Sequence, residues 1–228
     1  MTPAIIFEDN HLLVIIKPQG IPTQPDESGD PDMLSALKQY RQENEQKAGE
    51  AFVGLVQRLD RVTGGVMVFA KTSKAASRLS EQVRNLELTK KYLAVVSGMP
   101  RKTSETLVHH LLKNDRLNRV ETVGAAVAGA KRAELTYKVL QTQNKLFLLE
   151  IDLLTGRSHQ IRVQLSTINC PILGDRKYGQ SGGQLALWAH ELSFTHPTTG
   201  DKLKFVVNPP EDAPWLNFDF QRKSHKHR

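Results

Sequence analysis

Apolar positions along this chain change their spacing several times, and each change marks an element. Two β-branched runs, Ile5 to Glu8 and Leu12 to Ile16, flank the turn residues Asp9 and Asn10, which predicts two short antiparallel strands. Lys17-Pro-Gln-Gly20 breaks that pattern, and Pro22, Pro25, Gly29 and Pro31 prolong an irregular stretch. Helical spacing then appears from Asp32 to Gln46, with Met33, Leu34, Leu37 and Tyr40 as the inward face. The chain runs from Phe52 to Asp60, turns at Thr63-Gly-Gly65 and resumes as the apolar strand Val66 to Ala70. Ser73 is placed to cap a helix whose buried side would be Ala76, Leu79, Val83 and Leu86. Lys91 to Ser97 reads as a strand, and Lys131 to Leu154 as two strands around a turn at Gln143-Asn144. His159 to Ile168 has helical spacing through Ile161, Leu165 and Ile168, and Pro171 stops it. Strands at Leu185 to Ala189 and Leu203 to Val207 follow.

Strands outnumber helices and do not alternate with them strictly. The expected class is therefore α+β, a mainly antiparallel mixed sheet with flanking helices. With 228 residues and no internal repeat, the expectation is a single catalytic domain over residues 1–220, followed by a polar basic tail, 221–228, too polar to pack.

Composition narrows the setting. Hydrophobic residues are 39% and charged residues 24%, the balance of a globular chain. No apolar run is long enough to cross a bilayer as a helix, and the first residues lack the layout of a signal peptide, so a cytoplasmic protein without membrane contact is expected. Cys170 is the one cysteine, which excludes an internal disulfide and a paired-cysteine zinc site. The net charge of +7 favours a polyanionic partner, because each neutralised phosphate releases condensed counterions.

Polar groups concentrate in three segments at strand borders: Gln57-Arg-Leu-Asp-Arg-Val-Thr-Gly-Gly65, Lys90-Lys-Tyr92 and Thr155-Gly-Arg-Ser-His-Gln-Ile-Arg162. Taken singly each has a plain reading, as a surface charge cluster, a half-buried strand tyrosine and a solvated helix arginine. His109-His110 lacks a third ligand at metal-binding spacing, and Gly179 to Gly183 lacks the Lys-Ser/Thr ending of a phosphate loop. Lys90, Lys91, Lys113, Arg116, Arg119, Lys131 and Arg132 could together track phosphates.

Together the segments resemble one family. The first is similar to the His-Arg-Leu-Asp-x-x-Thr-Ser-Gly signature of the RluA-type RNA pseudouridine synthases. The third, continued through Cys170-Pro-Ile-Leu-Gly-Asp175 to Tyr178-Gly179, resembles a second family stretch, and Leu185-Ala-Leu-Trp-Ala-His190 with Phe194-Thr-His-Pro197 adds another. The matches keep the family's order from about Ile5 to Phe205. Gln57 stands where the family has His, and Gly64 where it has Ser. The resemblance implies an isomerase that detaches uracil from its ribose, turns it over and rejoins it through carbon 5, consuming no other reactant and using neither cofactor nor metal. It assigns the central carboxylate to Asp60, an ion partner to Arg162 and a ring that stacks on the uracil to Tyr92. Arg58, Thr63, Arg157, His159 and Gln160 fall at substrate- or RNA-binding positions. The implied partner is a tRNA or rRNA stem-loop whose target uridine is flipped out, read by a monomeric short form of the family without an S4-type RNA-binding domain.

Overall fold

The computed structural model describes residues 2–45, 51–179 and 182–220. The expected basic tail, residues 221–228, lies outside them, as does the middle of the glycine-rich stretch.

Eleven strands form one sheet: β1 (Ala4–Glu8), β2 (Leu12–Lys17), β3 (Gly54–Leu55), β4 (Gly64–Ala70), β5 (Thr89–Val96), β6 (Ser104–Asn114), β7 (Arg119–Val123), β8 (Lys131–Gln143), β9 (Leu146–Leu153), β10 (Leu187–Thr195) and β11 (Lys202–Val206). Among the described residues three α-helices flank it: α1 (Met33–Glu45), α2 (Ser73–Arg84) and α3 (Gln160–Thr167). The main path runs β1-β2-β4-β10-β5-β9-β8-β6-β7, with β3 added to β4 and β11 to β10. Among the described residues every strand pairing is antiparallel except β4 with β10, so the class is α+β as the sequence predicts.

Period-two alternation in β2 and β4 builds two cores. Leu13, Ile15, Met67 and Phe69 face one side, where Met33 and Leu37 of α1 cover them. Leu12, Val14, Val66, Val68 and Ala70 face the other, covered by Ala75 and Leu79 of α2. With both faces buried, these strands read as unbroken apolar runs rather than as alternating ones.

The parallel contact of β4 with β10 sets a row of residues across the sheet. Gly65 of β4 pairs with Ala189 of β10, and Ala189 pairs with Tyr92 of β5. These three residues lie in one row across the sheet, two strand spacings from end to end, which is roughly 10 Å. A side chain at position 65 would run into the Ala189 backbone, with a Cβ only 2.2 Å from its carbonyl oxygen, and the residue has φ +124, so glycine is required there. At position 64 a Cβ would fall 2.4 Å from the Trp188 ring. Gly64, in place of the family serine, is what lets Trp188 pack against the start of β4.

Several expectations need correction. The cap of α2 is Thr72, not Ser73: its Oγ1 accepts the Ala75 N–H at 3.2 Å, and the Ser73 backbone is already helical. The buried side of α2 is Ala75, Leu79 and Gln82, while Leu86 lies beyond the helix end with φ 59 and is exposed. In α1 the inward polar position is Arg41, whose guanidinium donates to the Lys71 carbonyl at 2.9 Å and pairs with Glu45 at 2.6 Å. Strand β10 starts later than expected and runs on to Thr195. The hairpin of β6 and β7 carries no regular alternation in the sequence, because only Leu107, Leu111 and Val120 along it are buried.

Candidate active site

Asp60 stands in the loop between β3 and β4, where its backbone carbonyl accepts the Thr63 N–H at 2.9 Å. The Lys17-to-Thr23 segment straps this loop from outside. Thr23 Oγ1 donates to the Leu59 carbonyl at 2.8 Å, Gly20 N donates to Arg61 O at 2.8 Å, and Gln19 Nε2 donates to Val62 O at 2.9 Å. The fully buried Lys17 ammonium donates to the carbonyls of Pro18, Ile21 and Arg61 at 2.9, 2.6 and 3.2 Å. In the sequence this stretch looks like a mere strand breaker, yet it holds the residues on both sides of Asp60 by their backbone.

Burial pushes the Lys17 pKa down to about 7, with the Asp60 charge acting in the opposite direction. Between about pH 7 and the ordinary lysine value of 10.5 the unfolded chain therefore holds a proton that the folded chain has released, so folding stability should rise with pH across that window. Denaturant unfolding at pH 7 and 9 checks this: the wild-type protein should gain stability relative to Lys17→Met on going to pH 9.

Arg162 comes to Asp60 from α3. Its Nη1 lies 3.4 Å from Asp60 Oδ2. Its Nε and Nη2 make a two-pronged pair with Asp175 at 2.8 and 2.7 Å. The Asp175 side chain is fully buried and also accepts the backbone N–H groups of Lys177 and Tyr178 at 2.9 and 3.1 Å. Burial raises the Asp175 pKa, but Arg162 and those two amides outweigh it and hold the carboxyl below the usual range. The planar fork of Arg162 is thus fixed by Asp175, with one edge left to face Asp60. Asp175 belongs to a motif visible in the sequence, but its tie to Arg162 depends on how the chain folds back after α3.

His159 caps α3 in the left-handed conformation, φ 52, which swings its ring toward the loop. Nε2 lies 3.8 Å from Asp60 Oδ2, and Nδ1 lies 2.7 Å from the Tyr178 hydroxyl. Burial lowers the His159 pKa; Asp60 works against this, and Arg162 with it. The balance favours the neutral imidazole. The Tyr178 oxygen also accepts the Val120 N–H of β7 at 2.9 Å, and Arg162 and Arg119 lie over its ring at 5.2 and 5.5 Å. This tyrosine joins the unforeseen hairpin to the site. In Tyr178→Phe the buried Val120 N–H loses its partner, at a cost of about 1–3 kcal/mol. Hydrogen exchange of the Val120 amide should then be at least roughly tenfold faster than in the wild type.

Tyr92 is buried in β5. Burial, and then the Asp60 charge, raise its pKa, so the phenol stays neutral. Two adjoining clefts, of about 1200 and about 720 Å³, meet at Asp60 and share Arg58, Arg157, His159 and Arg162 in their walls. The smaller also contains Tyr92 and Thr63; the larger is bordered by Lys113 and Arg119 of the hairpin. Asp60 is the only carboxylate in the wall of the smaller cleft, amid four arginines and a lysine among the described residues.

The other expected residues take varied positions. Thr63 is buried at the start of β4. Arg58 is exposed at the rim of both clefts. Arg157 donates from Nε to the Arg132 carbonyl at 3.2 Å. Gln160 uses its whole amide inside the protein: Oε1 accepts Thr155 Oγ1 and Arg157 N at 2.8 and 3.0 Å, and Nε2 donates to Glu134 O at 3.0 Å. That network holds the Thr155-Gly-Arg157 turn at the mouth of the cleft. Lys91, Lys113 and Arg132 pair with acidic neighbours, Asp152 at 3.5 Å, Asp115 at 2.5 Å and Glu134 at 2.5 Å. No group of three His, Cys, Asp or Glu side chains at metal-binding distance occurs among the described residues, and no described helix is long and apolar enough to cross a membrane.

The chain is similar to known proteins in sequence and in fold. The RNA pseudouridylate synthase family profile matches residues 11–167. A Bacillus subtilis protein described as an uncharacterized RNA pseudouridine synthase, YhcT, is 36% identical over 93% of this chain and 70% of its own length. Ribosomal large subunit pseudouridine synthase D of Zymomonas mobilis is 32% identical, with 93% of this chain and 71% of that protein covered. Among solved structures, human RNA pseudouridylate synthase domain containing 4 superposes with a TM-score of 0.77 at 26% identity, covering 91% of this chain and 88% of that one. By sequence and by fold, this chain belongs to the RNA pseudouridylate synthase family, a family of isomerases.

Proposed function

We propose that this chain converts uridine to pseudouridine in RNA, that Asp60 is its catalytic residue, and that the target uridine is flipped out of the RNA to reach it. The observation that carries the reading is the meeting of Asp60, Arg162 and Tyr92 at the floor of an otherwise cationic cleft. A nucleotide brings negative charge, which the cleft walls attract, and a flat ring, which Tyr92 can stack upon. The exchange can begin by addition of the carboxylate to the base, attack on the ribose or removal of a ribose proton. Each needs an ionised carboxylate, and the Arg162 guanidinium stands 3.4 Å from the Asp60 carboxylate.

In this reading Tyr92 holds the freed uracil so that it turns rather than escapes, and its hydroxyl relays the proton leaving carbon 5. Neutral His159 keeps the Asp60 side chain oriented without adding a competing charge. Arg58 and Arg157 at the rim contact the RNA backbone. Thr63 and Gln160 hold the two turns that form the mouth. Relatives named for the ribosomal large subunit make large-subunit rRNA the first RNA class to try, with tRNA second.

The test is release of tritium from RNA carrying tritium at uridine carbon 5. Wild-type protein incubated with large-subunit rRNA and bulk tRNA transcripts should release it and leave pseudouridine in the digest. Binding of the same RNAs with no release from any of them would favour an RNA-binding module without chemistry.

A further inference from the structure

Successive residues of β5 point to opposite faces of the sheet, so Lys90 and Tyr92 share a face and Lys91 takes the other. The two lysines meet different surroundings. Lys91 has carboxylates beside it, Asp152 at 3.5 Å and Glu150 at 3.9 Å. Lys90 is half-buried and makes no hydrogen bond or ion pair among the described residues, although it lines the same cleft as Asp60, Tyr92 and Arg162. Its ammonium lies against Gly156, 3.4 Å from where a Cβ would stand, at the mouth turn that Gln160 braces. A partly desolvated cation without a counterion is costly to maintain, and a bound anion would relieve that cost.

From this geometry we infer that Lys90 is a phosphate-binding residue of the cleft, taking one backbone phosphate next to the flipped uridine, a role that rests on the uridine reading above. The only anionic groups of an RNA are its phosphates and, transiently, the detached base. The base must sit by Asp60 and Tyr92. Lys90 lies two residues along β5 from Tyr92, about 7 Å by strand rise, at the Gly156 edge of the cleft. That is where the nucleotide's backbone, not its base, has to pass. Gly156, against which the ammonium lies, has no side chain to compete for the same space.

The test uses the full chain and the trinucleotide UpUpU, titrated by NMR, with two further versions in which one or the other phosphate is replaced by an uncharged methylphosphonate. For the wild type, one replacement should weaken binding roughly tenfold and the other much less. For Lys90→Met, intact UpUpU should bind about as weakly as the sensitive methylphosphonate binds the wild type, and that replacement should cost nothing further. Lys90→Arg should recover most of the binding. Equal effects of the two replacements on the wild type would overturn the assignment even if Lys90→Met failed to fold. So would an unchanged penalty for the sensitive replacement in Lys90→Met, since the phosphate would then be held elsewhere. Binding here needs no turnover, so a chain that released no tritium yet showed this pattern would fail as an isomerase while keeping the phosphate site.

Discussion

Asp60→Asn should release tritium from uridine-labelled RNA at about one thousandth of the wild-type rate, since a positioned acid-base carboxylate is worth about 10²–10⁴-fold. The fold should be nearly untouched. Asp60 is partly exposed, and what secures its loop is backbone: the Thr63 amide on its carbonyl, and the contacts from Thr23, Gly20 and Lys17 to Leu59 and Arg61. Asparagine keeps the shape and an acceptor oxygen facing Arg162 but loses the charge. RNA affinity should stay within a few-fold, because one neutralised carboxylate in a cationic cleft removes repulsion more than attraction. Single-turnover tritium release and filter binding on the same RNA separate the two effects.

Arg162→Met should fail in two ways at once. Activity falls because Asp60 loses its cationic neighbour, and stability falls because the fully buried Asp175 loses both prongs of its pair. Breaking a buried pair from one side costs about 3–5 kcal/mol, well above what an exposed ion pair is worth. The two losses can be pulled apart. Adding Asp175→Asn should restore more than half of the lost stability, since no buried charge is then left alone, while tritium release stays low. If the second change restored activity as well, Arg162 would matter only as a structural brace. The same pair has a pH signature. A carboxyl whose folded pKa is depressed stabilises the fold above its unfolded value, near 3.9, and that contribution is lost as the pH falls through the folded pKa, so wild type and double variant should converge in strong acid.

The parts of this protein that could be read from sequence are those in which local pattern and tertiary role coincide. β2 and β4 announce themselves as apolar runs because both of their faces are buried. The meeting of Asp60, Tyr92 and Arg162 in one cleft was legible only as a set of motifs in a fixed order, since each residue alone has an ordinary structural reading. What stayed hidden depends on contacts distant along the chain. The strap from Lys17 to Thr23 looks irregular because its hydrogen bonds go to residues some forty positions later. The β6–β7 hairpin shows little alternation because it lies at the end of the sheet, with few of its side chains buried. Its link to the site through Tyr178 is a single hydroxyl contact that no spacing rule announces. Lys90 and Lys91 are adjacent and identical in type, and only the face of β5 on which each falls tells an ion-paired lysine from one that lines the cleft.

The central claim is that Asp60 carries an isomerisation of uridine in RNA, and its most direct test is a pseudouridine map of total RNA from the organism of origin, comparing wild type with a strain whose only change is Asp60→Asn. The account predicts that one site or a small set of sites loses pseudouridine completely, with the variant protein present at its normal level. An unchanged map would contradict it.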